Sequence, residues 1–321
     1  MDPAEQRIFA LTGVAGYIAP RHLRAISDTG HRLVAAVDPH DSVGILDSYF
    51  HDVAYFREFE RFDRHLERMR RDPARASVEY VSICAPNYLH DAHIRFALRI
   101  GAHAICEKPL VLNPWNAEAL LELEAESRRR VYNVLQLRYH PVVRELRASL
   151  AGGRPNRKHD VRLTYITSRG KWYLYSWKGD AERAGGLATN IGIHFFDMLG
   201  WIFGPVERNE VHLAEPRRTA GYLELERARV RWFLSIAAED LPAPCSRDGQ
   251  RTFREIAVDG QDIEFSGGFA DLHTDVYRDI LAGGGYGIAD AMPSIRLCHD
   301  IRSAAPVRGT ADTEHPLLQK S

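Results

Sequence analysis

Cysteine is scarce in this chain. Four occur in 321 residues, at positions 84, 106, 245 and 298, far apart and with no CxxC pair. Cys84 and Cys106 sit inside apolar strand-like runs. The four read as buried free thiols of a reducing compartment. An excess of one charge is also missing. With 42 basic residues against 43 acidic ones, no overall field draws the chain to nucleic acid or to a membrane surface. An anionic ligand must therefore be met by local arginines and lysines. No apolar run approaches the ~18 residues of a membrane span. Residues 1–7 are polar and lead straight into a short apolar strand, unlike a signal peptide. Internal repeats, low-complexity tracts and a metal-ligand pattern are absent. The expectation is a cytoplasmic protein with no nucleic-acid or membrane partner. Its 321 residues exceed what one hydrophobic core usually serves, so two domains are predicted.

What is present is an alternation. Ile8–Thr12 is an apolar run ending in glycines. Pro20–Ser27 reads as a helix, with Pro20 where proline suits a first turn. Leu33–Asp38 and a weaker Tyr55–Phe59 follow, then the charged helix Phe62–Arg71. Tyr80–Ala85, Ala102–Cys106 and Val131–Leu137 are further strand-like runs. The helical stretches His90–Ile100, which Gly101 caps, and Trp115–Arg130 separate them. Alternation at this spacing predicts βαβ units and a parallel sheet with helices on both faces, an α/β domain of Rossmann type over 1–137.

The pattern changes near residue 140. After a Gly/Pro/Arg loop at 151–158 come alternating runs at Val161–Thr167, Val230–Ile236 and Glu255–Phe265, the last with an Asp259-Gly260 hairpin turn. Helices are expected near Ile193–Phe203 and Asp271–Ala282. Strands in series imply an α+β domain over 138–321, with a large, mostly antiparallel open sheet. The polar tail Ala311–Ser321 is expected to fray.

Strand one runs into Gly13-Val14-Ala15-Gly16-Tyr17-Ile18. A dinucleotide fold needs glycine here, because the backbone turns tightly and approaches a pyrophosphate resting on the next helix N-terminus. The loop reads GxxGxxA, one residue longer between its first two glycines than GxGxxG. Asp38 ends strand two, 22 residues beyond Gly16, where a carboxylate accepts ribose hydroxyls and repels a 2′-phosphate. Gly13, Ala15, Gly16, Tyr17, Ile18 and Asp38 are therefore candidate NAD contacts. The strand-end groups Ala85, Pro86, Asn87 and His90 join them, as do Glu107, Lys108 and Gln136.

Strand five ends in Cys106-Glu107-Lys108-Pro109. Ligands of a doubly wound sheet sit at strand carboxyl ends, so Lys108 falls where a nicotinamide would be. A lysine enclosed beside a cationic ring is suited to exchange a hydroxyl proton. In the second half, Gly185-Gly186-Leu187-Ala188-Thr189-Asn190-Ile191-Gly192-Ile193-His194-Phe195-Phe196-Asp197 sets Asn190, His194 and Asp197 on one face if the stretch is helical. A polar stripe on such an apolar helix needs partners; a satisfied core histidine is the plainer alternative.

The glycine loop, the strand-end Glu-Lys-Pro and the GG-x3-N-x3-H-x2-D segment together resemble the glucose–fructose oxidoreductase/inositol dehydrogenase superfamily over nearly the whole chain. Within it, GYIAPRH (16–22), DSVGI (41–45), YVSICAPNYLHDAHI (80–94), ICEKPLV (105–111), YNVLQLR (132–138), LTYITSRG (163–170), YSWKGD (175–180) and ATNIGIHFFDML (188–199) are similar to the bacterial UDP-N-acetyl-2-amino-2-deoxy-glucuronate 3-dehydrogenases. Most superfamily members carry aspartate at the Asn190 position, and asparagine marks this subgroup. The resemblance implies NAD-dependent oxidation of the sugar 3-hydroxyl, in making diacetamido-uronic acid sugars for lipopolysaccharide.

The same resemblance implies that Lys108 and His194 flank the reacting carbon, with either as the base. Thr189 and Asn190 would hold the sugar, and Arg138, Arg169 and Lys178 its carboxylate and diphosphate. Trp172, Tyr173 and Trp177 would pack on its rings, and His273 is a weaker candidate contact. It further implies a homotetramer, and in some members recycling of NADH by 2-oxoglutarate. The alternatives are another sugar or inositol dehydrogenase of the superfamily, or a non-catalytic NAD-binding regulator.

Overall fold

The computed structural model describes residues 6–74, 76–150, 157–264, 267–268 and 271–319. Two compact units emerge, one of Met1–Gln136 with Ala270–Met292, the other of Leu137–Phe269 with Pro293–Ser321.

The first unit carries six parallel strands, β1 (Ile8–Thr12), β2 (Arg32–Val37), β3 (Ala54–Phe56), β4 (Tyr80–Ile83), β5 (His103–Cys106) and β6 (Val131–Asn133), in the order β3-β2-β1-β4-β5-β6. All five residues of β1 are buried, as expected of a parallel strand covered on both faces. Each fully buried Phe or Leu there, such as Phe9 and Leu11, contributes about 1.5–3 kcal/mol. Helices α1 (Ala19–Asp28), α2 (Phe59–Arg71), α3 (His90–Arg99) and α4 (Pro114–Ser127) make the crossovers. In α2 the apolar stripe is Phe62, Leu66 and Met69, at the i, i+4, i+7 spacing that lines one face. Its last turn is basic, which suits the negative end of the helix dipole. Strand order reverses between β1 and β4, and their carboxyl ends open the crevice where such sheets take ligands.

The second unit carries a six-stranded sheet of β7 (His159–Thr167), β8 (Val206–Ala214), β9 (Arg218–Leu225), β10 (Ala228–Ser235), β11 (Thr252–Val258) and β12 (Gln261–Asp262), ordered β12-β11-β7-β10-β9-β8. Only β7 and β10 pair in parallel, so the sheet is mostly antiparallel as predicted. Asp259 and Gly260 both take positive φ, 51° and 81°, the geometry of a tight hairpin turn. Helices α5 (Pro141–Leu150), α6 (Trp172–Tyr175), α7 (Ala181–Ala184), α8 (Ile193–Phe203) and α9 (Ala243–Arg247) complete this stretch. Two more follow in the chain, α10 (Leu272–Leu281) and α11 (Ile288–Ser303).

Several expectations need correction. Strands β8 and β9 and helices α5 and α11 are not among the predicted elements. The last residue of the run at Glu255–Phe265 lies outside the described residues, as does most of the loop at 151–158. Helix α10 belongs to the first unit, not the second, because Tyr277 and Thr274 bond to His22 and Asp28 of α1. The tail does not fray over 311–319. His315 is buried, bonds to Thr164 Oγ1 at 3.0 Å and stacks on Phe233, while Leu317 and Leu318 pack against Ile166, Ala220 and Phe233. All four thiols are free; Cys84, Cys106 and Cys298 are buried, whereas Cys245 is only half-buried. Among the described residues no helix is long and apolar enough to cross a membrane.

Candidate active site

In the first unit, β1 delivers the glycine loop. Gly13 takes φ +83°, and a Cβ there would lie 2.6 Å from the carbonyl of Cys84 and the nitrogen of Ala85. Only glycine lets the loop press against the end of β4. The Gly13 N–H donates to the Val37 carbonyl at 2.8 Å, and the Ala15 N–H to Asp38 Oδ2 at 3.0 Å. Asp38 Oδ1 accepts the His40 N–H at 2.9 Å, and Tyr55 donates its hydroxyl to the carbonyls of Asp38 and His40. This buried carboxylate is thus fixed beside the glycine loop, and each oxygen keeps a lone pair for a ribose hydroxyl. The cradle that a Cβ would fill and the pinned carboxylate fit a dinucleotide. Gly16, Ile18 and Ala15 are half-buried in the same loop and Tyr17 is exposed.

After β4 come Ala85, Pro86 and buried Asn87. His90 is predicted as a cofactor contact on this rim, but its ring is 1% exposed. Nδ1 lies 2.7 Å from the Pro109 carbonyl and Nε2 2.8 Å from that of Ala85. Burial lowers its pKa, and the two carbonyls occupy both ring nitrogens. Gln136 is half-buried in the 3₁₀ turn after β6.

Lys108 is half-buried and follows β5, with a cis peptide to Pro109. Beneath it the buried Glu107 carboxylate meets His22 Nε2 at 3.0 Å, His273 Nε2 at 2.9 Å and the Lys108 N–H at 3.2 Å. Burial works against its charge, but the two imidazole donors prevail and hold the carboxyl well below its usual range. These three side chains bring ligand atoms within 4.8 Å of one another, yet their separations are those of N–H···O bonds. His273, predicted as a substrate contact, is placed by the structure under Glu107 instead. Cys84 and Cys106 are inert here, since burial and then the charge of Glu107 push both thiols up.

In the second unit, Ala188–Gly192 forms a π-turn that runs directly into α8. Such turns often mark functional sites. The predicted stripe divides accordingly. Asn190 and His194 are half-buried, whereas Asp197 is buried and forks onto Arg138, with Nε–Oδ2 at 3.0 Å and Nη2–Oδ1 at 2.7 Å. Arg138, expected to meet the substrate, is thereby committed to an internal ion pair.

Asn190 Nδ2 donates to the Tyr173 hydroxyl at 2.6 Å, and Tyr173 packs with Leu187, Ile191 and Ile236. Arg169 is held alongside by its N–H to the Ile236 carbonyl. Lys178 Nζ stands 5.5 Å from the Trp172 ring and 5.6 Å from that of Trp177. Burial first, and Arg169 second, lower its pKa. Among the described residues neither Arg169 nor Lys178 has an acidic partner. Thr189 is 1% exposed and its Oγ1 lacks a hydrogen-bond partner among the described residues. Gly185 lies against it: a Cβ there would meet the Thr189 side chain at 2.7 Å.

The chain belongs to the Gfo/Idh/MocA oxidoreductase family, whose NAD-binding Rossmann domain matches residues 8–134 and whose C-terminal α/β domain matches residues 157–250. It is similar to the WlbA (WbpB) dehydrogenase of Thermus thermophilus, crystallised with NAD and UDP-GlcNAcA. The two are 52% identical, with a TM-score of 0.93, covering 97% of this chain and 99% of that one. The Thermus protein has also been crystallised with NAD and alpha-ketoglutarate. The WlbA dehydrogenase of Bordetella pertussis shares the fold at 17% identity, with a TM-score of 0.75 and coverage of 95% and 99%. The inositol 2-dehydrogenase of Rhizobium meliloti is 28% identical over 61% of this chain and 54% of its own. The chain spans between 36% and 54% of the length of the first curated relatives it matches. The cofactor of this family's Rossmann domain is NAD, and the geometry of the Gly13 loop and Asp38 fits it.

Sequence reasoning missed His22 and Asn133, which bond to Glu107, and Tyr277 and Ser82, which extend the chain of hydrogen bonds from His22. His22, Ser82 and Asn133 lie inside motifs already singled out, GYIAPRH, YVSIC and YNV. Tyr277 sits in a helix that carries no such signal.

Proposed function

We propose that this protein oxidises the 3-hydroxyl of UDP-N-acetyl-2-amino-2-deoxy-D-glucuronate (UDP-GlcNAcA) to the ketone, a step toward diacetamido-uronic sugars of lipopolysaccharide. The observation that carries it is the second-unit cluster of Arg169 and Lys178, two cations without acidic partners among the described residues, beside Trp172, Tyr173 and Asn190. A free sugar gives no reason for such cations, whereas a carboxylate and a diphosphate need them. The near-full-length likeness to a dehydrogenase crystallised with NAD and UDP-GlcNAcA supports the same reading. NAD, when bound, supplies the hydride acceptor. Lys108 takes the hydroxyl proton, with His194 as its partner or the alternative base. Thr189 and Asn190 hold the sugar, and the aromatic side chains cover its rings. A homotetramer built through the open sheet is part of the proposal, and light scattering measures it.

The test is incubation of the purified protein with UDP-GlcNAcA, with and without 2-oxoglutarate. Reduced nicotinamide is followed by absorbance and the sugar by mass. We expect a product two hydrogens lighter. Catalytic turnover without added NAD⁺, dependent on 2-oxoglutarate, would establish cofactor recycling. Turnover only with sugars lacking UDP and the carboxylate would overturn the assignment in favour of another sugar or inositol dehydrogenase.

A further inference from the structure

The main chain around Lys108 is held from every side. The Cys106 carbonyl accepts from Val134 N at 2.9 Å and Asn133 Nδ2 at 3.0 Å, and the Glu107 carbonyl from Asn133 Nδ2 at 3.2 Å. The Glu107 N–H donates to the Ile83 carbonyl at 3.0 Å, and the Lys108 N–H is taken by the Glu107 carboxylate. On the far side, the Pro109 carbonyl lies 2.7 Å from His90 Nδ1.

The carboxylate itself anchors a directional chain. Burial lowers the His22 pKa, so its ring is neutral. Its Nε2–H donates to Glu107, and its Nδ1 accepts from the Tyr277 hydroxyl at 2.8 Å. Burial keeps that phenol protonated. With its proton spent on His22, Tyr277 accepts from the Ser82 hydroxyl at 2.6 Å. His273 Nδ1 has no partner among the described residues. A bare acceptor is tolerated in a core more readily than a bare N–H, so Nε2 carries the proton given to Glu107. Every hydrogen in the chain therefore points toward one anion. The side chains involved are all buried, and none belongs to the glycine loop or to the second-unit cluster.

We propose that Ser82, Tyr277, His22, His273 and Glu107 form a buried hydrogen-bonded cage that positions Lys108 for proton transfer. It rests on Lys108 being the base. The cage residues act through the Glu107–Lys108 main chain and are positioning residues. A group held this way enters the reaction without reorganising, which is where orientation gains its rate.

The test is a double-mutant cycle on the full-length protein, with the NAD-dependent oxidation as readout. Tyr277→Phe and His273→Leu should each lower kcat ~10-fold or more while KM for the sugar stays within about 2-fold. His273→Gln, which keeps a donor toward Glu107, should stay within about 3-fold of the native kcat. In a Lys108→Ala background, adding Tyr277→Phe should change the residual rate by less than about 2-fold. Equal losses in both backgrounds, or a change confined to KM, would overturn the cage.

Amine labelling across pH, read by peptide mass, gives a readout that needs no substrate. Tyr277→Phe should shift the labelling profile of Lys108 and leave Lys158 and Lys171 unchanged; an unmoved Lys108 profile overturns the cage. If Lys108→Ala by itself leaves turnover intact, the base assignment fails and the cage falls with it. If Lys108→Ala is crippling but the cage variants are silent, only the cage fails.

Discussion

Two polar clusters in this molecule are built on opposite terms. Around Glu107 in the first unit, the buried donors have acceptors, and among the described residues only His273 Nδ1 is left without a partner. Around Thr189 in the second unit, a buried hydroxyl has no partner among the described residues, and two cations lack an acid. A satisfied cluster stabilises the fold and fixes geometry; an unsatisfied one costs stability and keeps capacity for a ligand. On the function proposed, the contrast separates what has to be rigid before substrate arrives from what substrate completes.

The largest effect should come from emptying the closed cluster. Glu107→Ala leaves two imidazole donors and the Lys108 N–H buried without an acceptor, and should cost about 3–5 kcal/mol of unfolding free energy. Urea titration measures it; a loss below about 1 kcal/mol would mean the cluster is not closed as described.

A buried imidazole of the second unit lying outside its polar cluster comes next. Burial lowers the His315 pKa to about 3. The unfolded chain binds a proton near 6.5 while the native state resists it, so stability is full above about pH 6.5 and falls as pH drops toward 3. At pH 5 the loss relative to pH 7 should be about 2 kcal/mol, absent in His315→Phe. Parallel pH profiles for the two proteins would remove His315 from the account.

The smallest effect sharpens the contrast most, because its sign reverses. Thr189→Val deletes an unpartnered hydroxyl, so unfolding free energy should stay level or rise by up to about 1 kcal/mol. KM for the nucleotide sugar should meanwhile rise ~10-fold. A destabilised Thr189→Val protein with native KM would show that the hydroxyl serves the fold.

Much of the first unit was legible because parallel strands buried on both faces leave continuous apolar runs, as in β1 and β4, punctuated by glycines that the turns require. The second sheet was legible where most side chains of a strand are buried, in β7 and β10. Strand β8, VERNEVHLA, is an edge with a single buried side chain, so its sequence looks like a loop. The allegiance of α10 was hidden because it depends on Tyr277 and His273 meeting residues about 160 to 260 positions away. Candidate site residues within a motif, Lys108 and Asn190, could be named from the sequence. What Arg138 and His273 do could not, since Asp197 and Glu107 claim them only once the chain has folded.

The π-turn at Ala188–Gly192 has a consequence for chain length. It stores one residue more than an α-helix would use, so this stretch can lose a residue by tightening into an ordinary turn. Such a deletion would leave α8 in its place but turn the residues of the π-turn before it by about 100° about the helix axis. Asn190 would swing off Tyr173 while His194 stayed where it is. A one-residue difference in length here is thus a means of changing what the site accepts without rebuilding the domain that carries it.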